Sequence, residues 1–178
     1  GLVDTPLAMS VFGLARNATR ITVQLSAVDT EGVTWESAAD FGIEPGRQVD
    51  LTHEAPLSGS YTGVAPMGLF WSMKPVRAPA GDTDFVYPRM GYDATLQVIQ
   101  SGRVVASQVL HRAAAATAVS EVDERPASVG FYGEYFSPSD ISSRLPAVVV
   151  LGGSEGGLAT LGLAQLLASH GLAVLDLA

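Results

Sequence analysis

Apolar and polar residues alternate along the first two thirds of the chain. Every second position of residues 21–27 is apolar, at Ile21, Val23, Leu25 and Ala27, and the positions between them are polar. This alternation predicts an antiparallel strand with one buried and one solvated face. Residues 29–32 (DTEG) predict a turn, and residues 33–41, which contain Trp35, predict the partner strand.

Short strands separated by turns continue to residue 110. A turn is predicted over residues 42–46, at Pro45-Gly46, and a short strand over residues 48–51. Residues 92–99 and 104–110 predict a hairpin around 100–103. Short strands at roughly ten-residue spacing are typical of an antiparallel β-sandwich of the immunoglobulin-like kind. The pattern requires no helix before residue 145.

A region rich in Gly, Pro and Ser, residues 56–88, interrupts the alternation. In its middle lies the apolar and aromatic block 67–73 (MGLFWSM). A dense apolar run within loop-like sequence predicts a strand or turn inserted into a core or an interface. Core packing is the simpler of these two interpretations.

A charged segment that closes with proline, residues 121–126 (EVDERP), predicts a domain boundary. We therefore predict a β-sandwich domain over residues 1–124 and the start of a second domain over 125–178. The alanine-rich residues before this segment, 113–117, suit a linker or a strand edge equally. Residues 129–136 alternate with aromatic side chains and predict a strand.

The last stretch of the chain has a different pattern. Residues 147–151 (AVVVL) form a continuous apolar run that predicts a buried parallel strand. The glycine-rich loop GGSEGG follows at 152–157, and leucines at helical spacing predict a helix over 158–170 with Gly171 as its C-cap. A second apolar run, 172–177, completes one right-handed βαβ unit. Two parallel strands and one helix cannot cover both faces of their sheet, so we expect this unit to open a domain that continues beyond it.

Composition narrows the classes of function. The chain of 178 residues is 47% hydrophobic, enough for a folded core, and its net charge of −8 without a basic cluster argues against a nucleic-acid partner. No cysteine is present, which excludes disulfides, a thiolate nucleophile and cysteine-bound metals. No run approaches the ~20 apolar residues of a membrane span, so we expect a soluble protein without a membrane partner, either cytoplasmic or secreted after signal removal.

The glycine loop matches three chemical motifs in part. A phosphate-binding P-loop requires lysine where Leu158 stands, so this interpretation is rejected. A dinucleotide fingerprint requires glycine where Ser154 stands, although Asp176 at the end of the next strand resembles a ribose-binding carboxylate. Residues 152–156 also spell G-x-S-x-G between a strand and a helix, the context of a hydrolase nucleophile elbow, with Ser154 as nucleophile.

The nucleophile interpretation lacks its partners. After Ser154 the only candidates for a triad are His170 and Asp176, in the reverse of the α/β-hydrolase order, and His170 lies about 16 residues, or ~24 Å of helical rise, away. We therefore predict no catalytic residue here. In α/β-hydrolases such a loop instead supplies backbone N–H groups to the oxyanion hole. The candidate residues for that role are Gly152, Gly153, Ser154 and Glu155, and a glycine turn without function remains the alternative.

Four stretches together resemble a known family. They are VDL at 49–51, LSGSYTGV and PMGLFWSM within 57–73, the hairpin YDATLQVIQSGRVVASQVLHR at 92–112, and LPAVVVLGGSEGGL at 145–158. The chain is similar to the acyl-CoA thioesterase and bile acid-CoA:amino acid N-acyltransferase family. The resemblance implies an N-terminal β-sandwich that regulates or shapes substrate access, followed by an α/β-hydrolase domain with a triad of Ser or Cys, Asp and His. Such enzymes cleave fatty acyl-CoA thioesters or transfer the acyl group to an amino acid amine.

The resemblance also implies which part of the enzyme carries the nucleophile and which part contributes to the oxyanion hole. A covalent acyl-enzyme would form on a nucleophile downstream of this chain, and residues 152–157 would form the oxyanion-side loop with Ser154 as a bystander. The expected partners are an acyl-CoA or related thioester and a C-terminal hydrolase portion in the same or a separate chain, without which we expect no activity. No cofactor is implied. The alternative is a non-catalytic β-sandwich module for binding or interaction.

The remaining polar residues suggest no further site. His53 and His111 have no carboxylate or histidine at metal-ligand spacing in the sequence and are predicted to be surface or satisfied core residues, so no metal site is predicted. Three basic residues border the 67–73 block and either meet an acyl-CoA phosphate or are simply solvated: Lys74, Arg77 and Arg89.

Overall fold

The structure is a computed structural model that describes residues 1–15, 18–44, 46–77, 84–86, 88–140, 144–153, 157–158 and 160–178. The chain divides into two compact units. Asp4–Pro88 and Tyr92–Arg112 form what we call the β-rich unit, whereas Gly1–Val3, Arg89–Gly91 and Ala113–Ala178 form the mixed unit. Of the helices described, none has both the length and the apolar character needed to cross a membrane.

Antiparallel sheets make up most of the β-rich unit. Its strands are β1 (Ser10–Val11), β2 (Arg20–Val28), β3 (Thr34–Gly42), β4 (Val49–Asp50), β5 (Ser58–Gly59), β6 (Lys74–Pro75), β7 (Tyr92–Gln100) and β8 (Arg103–Arg112). The main sheet has the order β5-β3-β2-β7-β8, with β6 paired to β3, and β1 pairs with β4 in a second sheet. The strands predicted from alternation and the hairpin of residues 92–110 are confirmed.

One core serves both sheets of the β-rich unit. The four alternating apolar residues of β2 are at most 4% exposed, and β3 adds Phe41 to the same cluster. Val49 of β4 and the adjacent Leu51 also belong to this cluster. The period of two along β2 therefore predicted which side chains are buried, because alternate residues of a strand point to opposite faces.

The hairpin turn between β7 and β8 is formed by Ser101 and Gly102. Both residues have positive φ angles, of 51° and 74°, as expected for a two-residue turn that matches the twist of the strands. Ser101 is the only residue other than glycine with a positive φ in the described part of the chain. The local sequence was sufficient to place this turn.

The 67–73 block differs from its prediction. It contains a single helical turn, α1 (Gly68–Trp71), so the expectation of a strand or turn and of no helix before residue 145 was wrong. Leu69 is buried in the core, while Trp71 is 65% exposed. A Cβ on Gly68 would lie 2.4 Å from Cε2 of Tyr61, so the turn packs directly on the Tyr61 ring. The hydrophobic pattern of the sequence does not predict this close contact, which accompanies the helical conformation.

In the part that the structure describes, the mixed unit contains one sheet of four strands and two helices. Its elements are β9 (Val119–Glu124), α2 (Pro126–Val129), β10 (Gly133–Pro138), β11 (Ala147–Leu151), α3 (Leu161–Ser169) and β12 (Ala173–Leu177). The strand order is β11-β12-β10-β9, with β11 and β12 parallel and the other pairs antiparallel. Phe136, Val174, Ala164 and Ala168 form a second core between this sheet and α3.

Residues 121–124, which belong to the predicted boundary segment, form part of β9. That strand pairs with β10 along its whole length, from Val119 to Glu124. The predicted strand over 129–136 begins only at Gly133, because residues 126–129 form the short helix α2. The mixed unit takes in residues from 113 onward, and the predicted boundary at 124/125 falls inside it, between β9 and α2.

The glycine loop is flanked by the strand and helix that were predicted. The parallel pairing of β11 with β12 is confirmed, and α3 begins at Leu161, three residues later than expected. Within the described residues β11 is not buried as predicted, since Val149 is 59% and Leu151 64% exposed. β11 lies at the edge of the sheet, and among the described elements α3 packs on one face only.

Asp29 organises the turn between β2 and β3. Its Oδ1 accepts hydrogen bonds from the backbone N–H groups of Glu31 (2.9 Å) and Val33 (2.8 Å), and its Oδ2 accepts one from Nε1 of Trp35 at 2.9 Å. Burial works against the carboxylate, but the hydrogen bonds from Trp35 and the backbone outweigh it and hold the pKa of Asp29 below its ordinary value.

We expect Asp29→Ala to lower the free energy of unfolding by about 1.5–3 kcal/mol at pH 7, because hydrogen bonds to a charged group are lost and Trp35 Nε1 is left unpaired. Since the folded pKa lies below the ordinary 3.8, this stabilisation is present above pH 3.8 and is lost as the pH falls through the folded value. Urea unfolding followed by tryptophan fluorescence from pH 7 to pH 3 measures the difference. Asp93→Ala removes a carboxylate that is 65% exposed and serves as control. A difference that stays constant over this pH range would contradict the prediction.

Candidate functional site

The glycine loop begins where two parallel strands end. Leu151 pairs with Leu177, so β11 and β12 finish at the same edge of the sheet, and Gly152 and Gly153 leave from that edge. Ser154, Glu155 and Gly156 lie outside the described residues. The described chain includes Gly157, whose φ of 72° favours glycine, and Leu158 before the start of α3.

The loop leads into the N-terminus of α3. Thr160 is the N-cap residue, and its carbonyl oxygen accepts the N–H of Ala164 at 3.0 Å. The first N–H groups of a helix have no partner within the helix and carry partial positive charge. Backbone N–H groups of a strand-to-helix loop are suited to bind a negatively charged oxygen. The two described glycines of the candidate set, Gly152 and Gly153, lie at the loop's beginning.

The Thr160 side chain does not cap its own helix. Its Oγ1 donates a hydrogen bond of 2.5 Å to Oδ1 of Asp176 on β12. Asp176 is fully buried. A ribose-binding carboxylate must reach a ligand, so this interior hydrogen bond speaks against the dinucleotide interpretation.

His170 follows the C-terminal end of α3, whereas the glycine loop precedes the N-terminal end of this helix. The N–H of His170 donates to the carbonyl oxygen of Leu167 at 3.1 Å, and His170 rather than the predicted Gly171 is the C-cap residue of α3. Gly171 follows with a φ of 89°, the left-handed conformation typical of a glycine just after a helix. The helix has nine residues, shorter than predicted, and still separates His170 from the glycine loop by about 13 Å of rise.

A cluster of carboxylates that the sequence did not suggest lies on β9 and β10. Glu121, Asp123 and Glu134 each offer an oxygen within 4.8 Å of the others. Arg89 donates to Glu134 Oε2 at 2.6 Å and also to Glu121 Oε1. Burial raises the pKa of Glu134, Arg89 opposes this shift, and Glu121 and Asp123 add to it. Glu121 and Asp123 occupy alternate positions of β9, a period of two that could have indicated a strand.

This cluster changes the interpretation of the three basic residues near the 67–73 block. Arg89 is engaged by two carboxylates of the mixed unit, while Lys74 on β6 and Arg77 belong to the β-rich unit. Arg89 therefore has protein partners of its own and needs no phosphate to account for its position.

His53 and His111 each have a carboxylate neighbour. His53 Nδ1 lies 2.9 Å from Asp50 Oδ2, and His111 Nδ1 lies 2.8 Å from Asp93 Oδ1. The second pair arises from the register of β7 and β8, in which Asp93 is opposite His111. Both imidazoles are largely exposed, at 79% and 65%, consistent with surface residues.

The chain combines a β-rich unit with a mixed unit in which a strand, a glycine loop, a helix and a strand follow one another. Similarity to known proteins identifies the class of protein that has this order of elements. The family described as Acyl-CoA thioester hydrolase/BAAT N-terminal region matches residues 4–125, and the chain belongs to this family. This confirms the resemblance noted in the sequence.

Curated relatives match almost the whole chain, including the glycine loop. The chain is 34% identical to human bile acid-CoA:amino acid N-acyltransferase over 188 aligned residues, which cover 99% of the chain and 43% of that protein. It is 32% identical to rat mitochondrial acyl-coenzyme A thioesterase 2, with 98% of the chain and 38% of that protein covered. Mouse acyl-coenzyme A thioesterase 6 is also 32% identical, with 98% and 42% covered. The chain thus spans about two fifths of the length of these relatives.

Proposed function

We propose that this chain is the N-terminal portion of an enzyme that cleaves acyl-CoA thioesters or transfers their acyl group to an amino acid. The observation that carries the proposal is the match to thioesterases and N-acyltransferases over 98–99% of the chain. The catalytic triad would come from a C-terminal hydrolase portion, in the same or a separate chain. In this proposal the β-rich unit is the immunoglobulin-like sandwich that shapes access to the substrate, and a division at 124/125 stays a prediction.

The order of elements in the mixed unit supports an α/β-hydrolase start. In α/β-hydrolases one N–H of the oxyanion hole comes from the loop between the third strand and the first helix. In chain order β11 is the third described strand of the mixed unit, and α3 is the first described helix longer than one turn. The loop 152–157 joins these two elements. We therefore assign the backbone of Gly153, Ser154 and Glu155 to the oxyanion hole, with Gly152 as the preceding turn residue.

An apolar row across the sheet supports a further hydrolase portion. Val122, Tyr135, Leu175 and Val149 are register partners along one line through β9, β10, β12 and β11. Partners opposite each other in a sheet share a face. Val122 is 50% and Val149 59% exposed. Sheets with parallel strands are normally covered on both faces, so we propose that helices of the C-terminal portion cover this row.

The proposed reaction has two stages. A nucleophile of the C-terminal portion forms a bond to the thioester carbonyl carbon, and the π electrons of the C=O bond move to the oxygen. Two backbone N–H groups stabilise the resulting oxyanion. Collapse of this intermediate breaks the C–S bond, and coenzyme A leaves as the thiol after accepting a proton. Water or an amino acid amine then attacks the acyl-enzyme and releases a fatty acid or an N-acyl amino acid.

Turnover by the full-length protein tests this function. The protein is incubated with acyl-CoA of several chain lengths, with and without glycine or taurine, and free thiol and N-acyl product are measured. Thiol release without amine dependence indicates a thioesterase, and N-acyl product indicates an acyltransferase. No release of coenzyme A from any substrate would contradict the proposal and favour the alternative, a non-catalytic binding or interaction module. Residues 1–178 alone are expected to be inactive.

The variant Ser154→Ala distinguishes two interpretations of the glycine loop, as part of the oxyanion hole or as a nucleophile elbow. We expect the full-length variant to keep turnover within about tenfold of the unaltered enzyme, because alanine retains the backbone N–H and loses only the hydroxyl. Removing a serine nucleophile costs on the order of 10⁶ in kcat. A loss of that size, together with failure of the variant to form an acyl-enzyme, would make Ser154 the nucleophile and overturn the loop assignment.

A further inference from the structure

Asp176 lies near the carboxyl ends of the parallel strands β11 and β12, where the glycine loop starts. On β12 it is the register partner of Val150, one residue before Leu151, the last residue of β11. It is also opposite Glu134 on β10, so its position is flanked by strands on both sides. Its side chain is fully buried, although it carries a carboxylate.

The two oxygens of this carboxylate have different surroundings. Oδ1 accepts the 2.5 Å hydrogen bond from Thr160 Oγ1. Oδ2 is buried and has no hydrogen-bond partner among the residues that the structure describes. A buried carboxylate without full hydrogen bonding is costly, and such groups are retained where they have a specific task.

Thr160 connects Asp176 to the loop. It is the N-cap residue of α3, follows Gly157 and Leu158 closely in the chain, and carries the carbonyl that accepts the first helical hydrogen bond from Ala164. Its side chain is held by β12 rather than by its own helix. Of the described residues on either side of the loop, Leu151 is thus fixed by strand pairing and Thr160 by Asp176.

We propose that Asp176 is a positioning residue, which acts through Thr160 to fix the N-terminus of α3, where the glycine loop ends. This inference rests on the proposed function, in which backbone N–H groups of that loop bind the oxyanion. Misplacing a catalytic group by an ångström costs on the order of 10²-fold in rate, so the anchor affects kcat more than substrate binding.

Two substitutions at Thr160 test the anchor in the full-length protein. Thr160→Val removes the hydroxyl, whereas Thr160→Ser keeps it and removes only the methyl group. Ser120→Ala, which removes a hydroxyl bonded to Ser137 on the neighbouring strand of the same unit, is the matched control. Asp176→Asn provides an independent variant that changes the other partner.

Turnover is measured per active site, counted from the acyl-enzyme burst, so that misfolded molecules do not contribute. We expect Thr160→Val and Asp176→Asn to lower kcat about tenfold or more with KM changed less than about threefold, and Thr160→Ser and Ser120→Ala to stay within about threefold of the unaltered enzyme. Equal kcat per active site in all four variants would overturn the inference.

Amide hydrogen exchange supplies a readout that needs no substrate. We expect exchange in peptides covering 151–160 to become about tenfold faster in Thr160→Val and Asp176→Asn, and to stay unchanged in the other two variants. Equally faster exchange in peptides of β10 would show general destabilisation and overturn a positioning role. If the unaltered protein cleaves no acyl-CoA but exchange responds as expected, the proposed function fails while the anchoring of the loop by Asp176 is supported.

Discussion

Gly153→Pro in the full-length protein is expected to lower kcat for acyl-CoA cleavage by about 10²–10³-fold, the usual cost of losing one oxyanion-hole donor. Proline lacks the backbone N–H that the proposal assigns to this position. Gly153 is not among the described glycines with positive φ, and the preceding residue is Gly152, which has no Cβ to clash with the proline ring.

Gly153→Ala is the matched control, because alanine also adds a Cβ but retains the N–H. Its loss in kcat should be at least tenfold smaller than that of the proline variant. Steady-state kinetics with a saturating acyl-CoA, together with the melting temperature of each variant, separates lost catalysis from lost folding. Similar kcat values for the proline and alanine variants would remove Gly153 from the oxyanion hole.

Leu25→Ala is expected to lower the free energy of unfolding of the β-rich unit by about 3–4 kcal/mol, within the 2–5 kcal/mol typical of buried leucines. Leu25 is 0% exposed in the middle of β2, and strands β3 and β7 pair with β2 on either side. Alanine leaves a cavity. Because β2 is held by a strand on each side, its backbone cannot easily move to fill that cavity.

Leu57→Ala provides the comparison, since Leu57 is 61% exposed and its truncation should cost about 1 kcal/mol or less. Denaturant unfolding followed by tryptophan fluorescence measures both variants, because Trp35 on β3 is buried in the β-rich unit. Equal losses for the two leucines would mean that Leu25 does not lie in a close-packed core.

Local patterns predicted the regular parts of this fold well. The alternation along β2 identified its buried side chains, and the Ser101-Gly102 turn placed the β7–β8 hairpin, because both depend on residues close in sequence. The prediction of no helix before residue 145 failed for α1, whose helical turn lies against the Tyr61 ring. Residues 121–124, which suggested a boundary, lie in β9 and pair with β10. In both cases contacts between elements, rather than local preference, accompany the conformation.

The candidate site was predicted in outline only. Glycines between an apolar strand and a leucine-rich helix located the loop and its flanking elements. The hydrogen bond between Thr160 and Asp176 joins residues 16 apart in sequence, and Arg89 meets Glu134 across 45 residues. No spacing rule predicts such pairs, because strand register decides which side chains meet.

By itself, the sequence determined the strands of the β-rich unit, the glycine loop with its flanking strand and helix, and the family to which the chain belongs. These follow from hydrophobic period and turn chemistry, which are written in neighbouring residues. Tertiary structure alone decided that β11 is the edge strand among the described strands of its sheet, that β9 joins β10, and that a buried Asp176 accepts a hydrogen bond from Thr160 at the start of α3. The physical reason is that burial and pairing depend on which elements meet in space, and a strand's own residues do not specify its neighbours.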